Sequence, residues 1–144
     1  MAARAPRLAL AVQGATAEVP STATLRRWIK PALARDALLT LRFVGRAEGR
    51  RLNREYRGRD YPTNVLTFDY QQRPTIVADI VLCLPVLRSE AKQQGKPLRA
   101  HLAHLLLHGV LHAQGFDHLT DAQARRMQAR ERRLLAQMGV GDPY

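Results

Sequence analysis

All five histidines of this 144-residue sequence fall in one short run: His101, His104, His108, His112 and His118. Imidazole offers neutral nitrogen to divalent metals, so the clustering asks for a chemical reason. On a helix, residues four apart stand roughly 6 Å apart along the axis and point the same way, as His108 and His112 would. Gly115 follows and can take the left-handed conformation that ends a helix. The chain then reverses and brings His118 back toward the same point. Zinc accepts histidine nitrogen at about 2.0–2.1 Å in tetrahedral geometry, and three protein ligands leave the fourth position to water, the catalytic arrangement. His104 and His101 fall on the same helical stripe. His104 reads as a residue behind the ligands that orients one of them or touches substrate, and His101 as a buried histidine satisfied by its surroundings.

The spacing His-x3-His-x2-Gly-x2-His is similar to that of the metzincin metalloproteases, with one difference. Those enzymes carry glutamate directly after the first histidine as general base. Here that position is Gly109. Peptide hydrolysis would lack a proton acceptor whose contribution is typically about 10²–10⁴-fold in rate.

Charge points to the substrate. Lys plus Arg is 23 against 12 Asp plus Glu, a net charge of +11, and only Lys30, Lys92 and Lys96 among those cations are lysines. Guanidinium forks onto phosphate through two hydrogen bonds. A small, strongly basic chain without a membrane anchor most often meets nucleic acid. Arg46, Arg50, Arg54 and Arg57 share one face of a helix, with Arg51 and Arg59 nearby, and their mutual repulsion is relieved if an anion arrives. Arg50, Arg54 and Arg59 are therefore candidate RNA contacts. With aromatic content at 6%, base stacking is not the expected grip. Zinc-activated water together with an arginine on the non-bridging oxygens is a minimal kit for phosphodiester cleavage.

The surrounding pattern predicts the elements that must hold these groups. Strands are expected over Leu8–Gln13, Ala37–Val44, Thr63–Tyr70 and Thr75–Leu84. Helices are expected from a Ser21 or Thr22 cap through Leu33, kinked by Pro31, over Arg46–Arg57 closed by Gly58, from Pro85 to near Gly95, from Pro97 to Gly115, and over Asp121–Met138. The sum is a single compact α+β domain, 1–144, with about four strands in a mixed sheet and about five helices. No apolar run approaches eighteen residues, so no membrane partner is expected. The lone Cys83 excludes an internal disulfide and suits a reducing, cytoplasmic setting. Met1 to Ala17 is too short in apolar residues for a secretory signal, and its arginine-rich, acid-poor character leaves a transit peptide as the lesser alternative to a first strand.

The blocks "LNREYRGRDYPTNVLTF", "ADIVL" and "HGVLHAQGFDH", with the closing "GDPY", resemble the YbeY family of rRNA maturation endoribonucleases along nearly the whole chain. The resemblance implies a zinc-dependent, single-strand-directed endoribonuclease acting in 16S rRNA 3′-end maturation and ribosome quality control. By position it implies His108, His112 and His118 as ligands of one zinc ion and Arg57, the arginine of "YRG", as the catalytic arginine. It also implies contact with the small ribosomal subunit and an Era-type GTPase. Thr67 and Ala78 depart from the family's usual serine and glycine. Two other readings stand beside it: a non-enzymatic RNA- or ribosome-binding assembly factor with a metal site, and a zinc hydrolase of another substrate class.

Overall fold

The computed structural model describes residues 4–144; the first three residues of the N-terminal stretch discussed above lie outside the described residues. Four strands and five helices follow in the order β1 (Leu8–Gln13), α1 (Thr22–Ile29), β2 (Ala37–Val44), α2 (Arg46–Arg57), β3 (Val65–Gln71), β4 (Ile76–Cys83), α3 (Leu84–Gln93), α4 (Leu98–Ala113) and α5 (Asp121–Gln137). The first helix is shorter than its apolar spacing predicts. Pro31 lacks the N–H that would continue the ladder, so a 3₁₀ turn over Lys30–Ala32 replaces the last turn and Leu33 is buried from an extended backbone. Strand β3 begins two residues later than expected, because Asn64 turns its side-chain oxygen onto the Val65 N–H at 2.7 Å.

The sheet order is β1-β2-β4-β3. β1, β2 and β4 run parallel, and β3 returns antiparallel along β4, which makes it an edge strand. Side chains alternate across the sheet. Ile76, Ala78, Ile80 and Leu82 of β4 enter the main core with α1, α3, α4 and α5, whereas Val81 and Cys83 join Leu52 of α2 and Leu66 in a smaller core on the opposite face.

Helix α4 runs through the middle of the main core, and most of its side chains from His101 onward are fully buried. The exceptions, His104, His108 and His112, form one half-buried stripe. Gly109 sets the depth of this helix. A Cβ at that position would lie 2.8 Å from Ile80 Cγ2 and 3.2 Å from Thr67 Oγ1, so the backbone of α4 lies directly on β3 and β4. Gly109→Ala is expected to lower stability by roughly 1–2 kcal/mol, the overpacking cost exceeding alanine's helical advantage. Urea denaturation checks this, and an increase in stability would show that α4 can lift from the sheet.

Candidate metal centre

Helix α4 ends by the device its sequence announces. Gly115 takes φ +98°, the Gly115 N–H donates to the His112 carbonyl at 3.0 Å, and the Phe116 N–H donates to that of Leu111 at 3.1 Å. Gln114 anchors the turn to a distant part of the chain. Its amide donates to the Ala32 carbonyl at 2.8 Å, and its oxygen accepts the Ala34 N–H at 2.9 Å. Thr120 and Gln123 then cap α5 reciprocally, each side chain accepting the other's backbone N–H at 3.1 Å. His118 is thus fixed between two braced helix ends.

The result is the convergence that the spacing predicts. The nearest ligand nitrogens of His108, His112 and His118 all lie within 4.8 Å of one another, close enough to serve one ion. Ring centroids are 4.7 Å apart for His108 and His112, 5.0 Å for His112 and His118, and 5.8 Å for His108 and His118. Burial lowers the His112 pKa, and the neighbouring His108 and His118 lower it further against the opposing effect of Asp117. Its imidazole is therefore neutral at physiological pH, the state a metal requires. A borderline divalent ion such as zinc suits this all-nitrogen donor set.

The histidines open into a cleft of about 590 Å³ at the β3 edge. Arg57 lines its wall, together with Thr63, Asn64 and Thr67 from the start of β3 and Asp117 from the turn. Arg57 is the last residue of α2, and Gly58 behind it takes φ +68°. Asn53, 1% exposed, holds the loop that follows by donating to the Tyr61 carbonyl at 2.7 Å. Asn64 is braced from beneath, donating to the Glu90 carboxylate at 3.2 Å, while His101 meets the same carboxylate at 2.9 Å from inside the core.

The remaining arginines are placed differently. Arg50 is held by Asp60 through two bonds of 2.8 Å, and Arg54 lies 3.7 Å from the same carboxylate. The anion that relieves the stripe's repulsion is thus internal to the chain, a loop residue the helical spacing does not point to. Arg59 is exposed and outside the cleft lining. Of the two residues that differ from the family's usual pattern, Thr67 lies against Gly109 at the cleft and Ala78 is buried in the main core.

A buried carboxylate behind the cluster is not singled out by the spacing of the histidines. Glu131 of α5 is 0% exposed and meets His108 Nδ1 at 2.6 Å. Burial alone would raise its pKa, but hydrogen bonds from His104, His108 and Tyr144 outweigh it and hold the carboxyl at about 2. His104 Nε2 lies 3.4 Å from the same carboxylate, so His104 stands behind the three-histidine cluster. A signal was available: Glu131 occupies the same helical stripe as Met127, Leu134 and Leu135, where an acid must have partners.

The fold and the site define a class: an α+β domain whose buried helix presents three imidazoles, fit to hold a metal, to a polar cleft lined by Arg57. Residues 12–139 match the family model described as Endoribonuclease YbeY. Proteins named Endoribonuclease YbeY are 54% identical in Aromatoleum aromaticum (96% of this chain, 93% of that protein) and 52% identical in Methylibium petroleiphilum (96% and 95%). That of Acidovorax sp. is 60% identical over 82% of this chain and 78% of its own length. The solution structure of TM1509 from Thermotoga maritima shares the fold, with a TM-score of 0.60 at 19% identity over 91% of this chain and 92% of that one. The chain belongs to the Endoribonuclease YbeY family.

Gln114→Ala removes both bonds to the segment after α1, and a loss of roughly 1–3 kcal/mol is expected, as for buried partners left unpaired. Thermal denaturation measures it, and an unchanged midpoint would mean the turn is held by Gly115 and the α5 cap alone.

Proposed function

We propose that this chain hydrolyses single-stranded RNA with one zinc ion held by His108, His112 and His118, and that Arg57 stabilises the charge built on the phosphate. Family membership carries the coarser part: the enzyme is an endoribonuclease, acting on RNA phosphodiester bonds. The observation that supports the finer part is the meeting of three histidines and Arg57 on the walls of one cleft.

When bound, zinc supplies Lewis acidity, which lowers the pKa of water toward about 7 and yields a nucleophile at neutral pH without a carboxylate base. The chain's own groups do the rest. A guanidinium matches two phosphate oxygens with a fork of N–H donors, and Arg57 presents one at the cleft wall. As negative charge grows on the non-bridging oxygens, a cation at the cleft wall is worth more than it was in the ground state. The backbone and side chains of Thr63, Asn64 and Thr67 offer polar contacts along the same wall. The net charge of +11 draws polyanions toward the cleft, an attraction that salt weakens. Gly109 faces the sheet, which leaves no room beside His108 for the glutamate of a peptide hydrolase.

In the cell, the proposed substrate is the 3′ end of 16S rRNA during maturation and ribosome quality control. The proposed partners are the small ribosomal subunit and an Era-type GTPase, in the cytoplasm. Among the described residues no helix is long and apolar enough to cross a membrane.

Plasma mass spectrometry of purified protein is expected to find about one zinc per chain, the count of a single three-ligand site. His112→Ala should lose that zinc and RNA cleavage, with RNA affinity falling much less; undiminished cleavage by the zinc-free variant would sink the metal reading. Arg57→Ala should retain zinc while single-turnover cleavage falls by about 10²–10³-fold, as for loss of one charge-stabilising donor. Parallel loss of zinc and cleavage would mean that Arg57 acts through folding.

A further inference from the structure

Behind the three-histidine cluster lies a second group of polar residues: His104, Glu131 and Tyr144. Glu131 is fully buried, a costly place for a carboxylate unless each oxygen is bonded. Here each is. Oε1 meets His108 Nδ1 at 2.6 Å, and Oε2 accepts from the Tyr144 hydroxyl. The Tyr144 oxygen lies 3.2 Å from His104 Nε2.

Tyr144 is itself built into place. Its backbone N–H donates to Asp142 Oδ1 at 2.9 Å, and Arg132 of α5 clasps the Asp142 carboxylate at 3.0 and 2.9 Å. The Arg132 guanidinium sits 5.3 Å from the centre of the Tyr144 ring. The segment after α5 is therefore pinned so that one hydroxyl reaches one buried carboxylate.

Hydrogen counting gives the network a direction. Tyr144 has a single hydroxyl hydrogen, and the carboxylate takes it. The hydroxyl oxygen is then free to accept from His104 Nε2–H, which it shares with Glu131 Oε2 at 3.4 Å; His104 Nδ1 is left unprotonated, and that atom is buried with no partner. The second carboxylate oxygen accepts from His108 Nδ1–H. A neutral imidazole carrying its proton on Nδ1 has its lone pair on Nε2.

We propose that Glu131 and Tyr144 form a positioning clamp that holds His108 in the Nδ1–H tautomer, with Nε2 free for the metal, Tyr144 acting through Glu131. Its importance to the reaction rests on the metal-dependent reading of the site above; its effect on the His108 tautomer does not. The same three residues could instead be read as a second ion site, since His104, His108 and Glu131 offer ligand atoms close together. The distances oppose that reading. His108 Nδ1 and Glu131 Oε1 are 2.6 Å apart, a charge-assisted hydrogen bond, whereas two ligands of one tetrahedral zinc stand about 3.3 Å apart.

Two variants test the clamp: Tyr144→Phe, which removes only the hydroxyl, and Glu131→Gln, which keeps the shape and loses the charge. Two readouts separate positioning from stability. In metal-free protein, long-range ¹H–¹⁵N spectra of the histidine rings should show His108 as Nδ1–H in the wild type, with the Nε2–H form gaining population in Glu131→Gln. Titration of apo-protein with zinc should show affinity falling about 10–100-fold in Glu131→Gln and about 10-fold in Tyr144→Phe, the range for residues that orient a metal ligand. The double variant should be no weaker than Glu131→Gln alone, because the hydroxyl acts through the carboxylate. An unchanged tautomer in Glu131→Gln, or zinc affinity unchanged in both variants while their melting points fall, would overturn the proposal and leave a purely structural staple. Failure of the wild type to bind zinc would sink the metal reading, and the tautomer spectra would still decide the clamp.

Discussion

The close approach of α4 to the sheet governs the rest of the molecule. With no Cβ at Gly109, the helix backbone settles onto Ile80 and Thr67, and nearly all of its other side chains are consumed by the core. The histidine stripe then has one direction left, along the β3 edge. Because β3 is an edge strand, the space beside it is open, and the cleft forms there. The same contact explains the absence of a glutamate after the first histidine. That position points into the sheet, so packing and protease chemistry exclude each other.

Polar burial is concentrated around this cleft. The three buried polar side chains among the described residues, Asn53, His101 and Glu131, each brace a different wall. Asn53 holds the loop behind Arg57, His101 shares Glu90 with Asn64, and Glu131 holds His108. Buried hydrogen-bonded groups are directional where apolar contacts are not. A cluster that gathers three rings benefits from that directionality, and the apolar core beneath it supplies stability without specifying angle.

The arginine excess divides into two populations. Arg4, Arg50 and Arg132 are clasped by Asp36, Asp60 and Asp142, all in exposed pairs. Such exposed pairs contribute little to stability and are screened by salt. Their effect is to fix loops and tails, as Asp142 does for Tyr144. Arg57 has no carboxylate partner among the described residues and faces the cleft. Neutralising some arginines internally leaves the positive field directed by those that remain.

Local order was legible in the chain. The bounds of β1, β2 and α2, the left-handed glycines after α2 and α4, and the convergence of His108, His112 and His118 follow from spacing over a dozen residues or fewer, where backbone geometry alone decides. Arg57 was singled out by family resemblance; its helical spacing did not separate it from Arg50 or Arg54. That separation is tertiary: Asp60 turns back onto Arg50, while the loop held by Asn53 leaves Arg57 at the cleft. Glu131 and Tyr144 lie 23 and 36 residues beyond His108, and Gln114 reaches Ala32 across 82. No local rule links such positions, because their contact depends on how α1, α4 and α5 pack on one sheet face. The sequence by itself determined which atoms could bind a metal; only the tertiary structure decided which carboxylate would stand against His108 and which arginine would line the cleft beside the three rings.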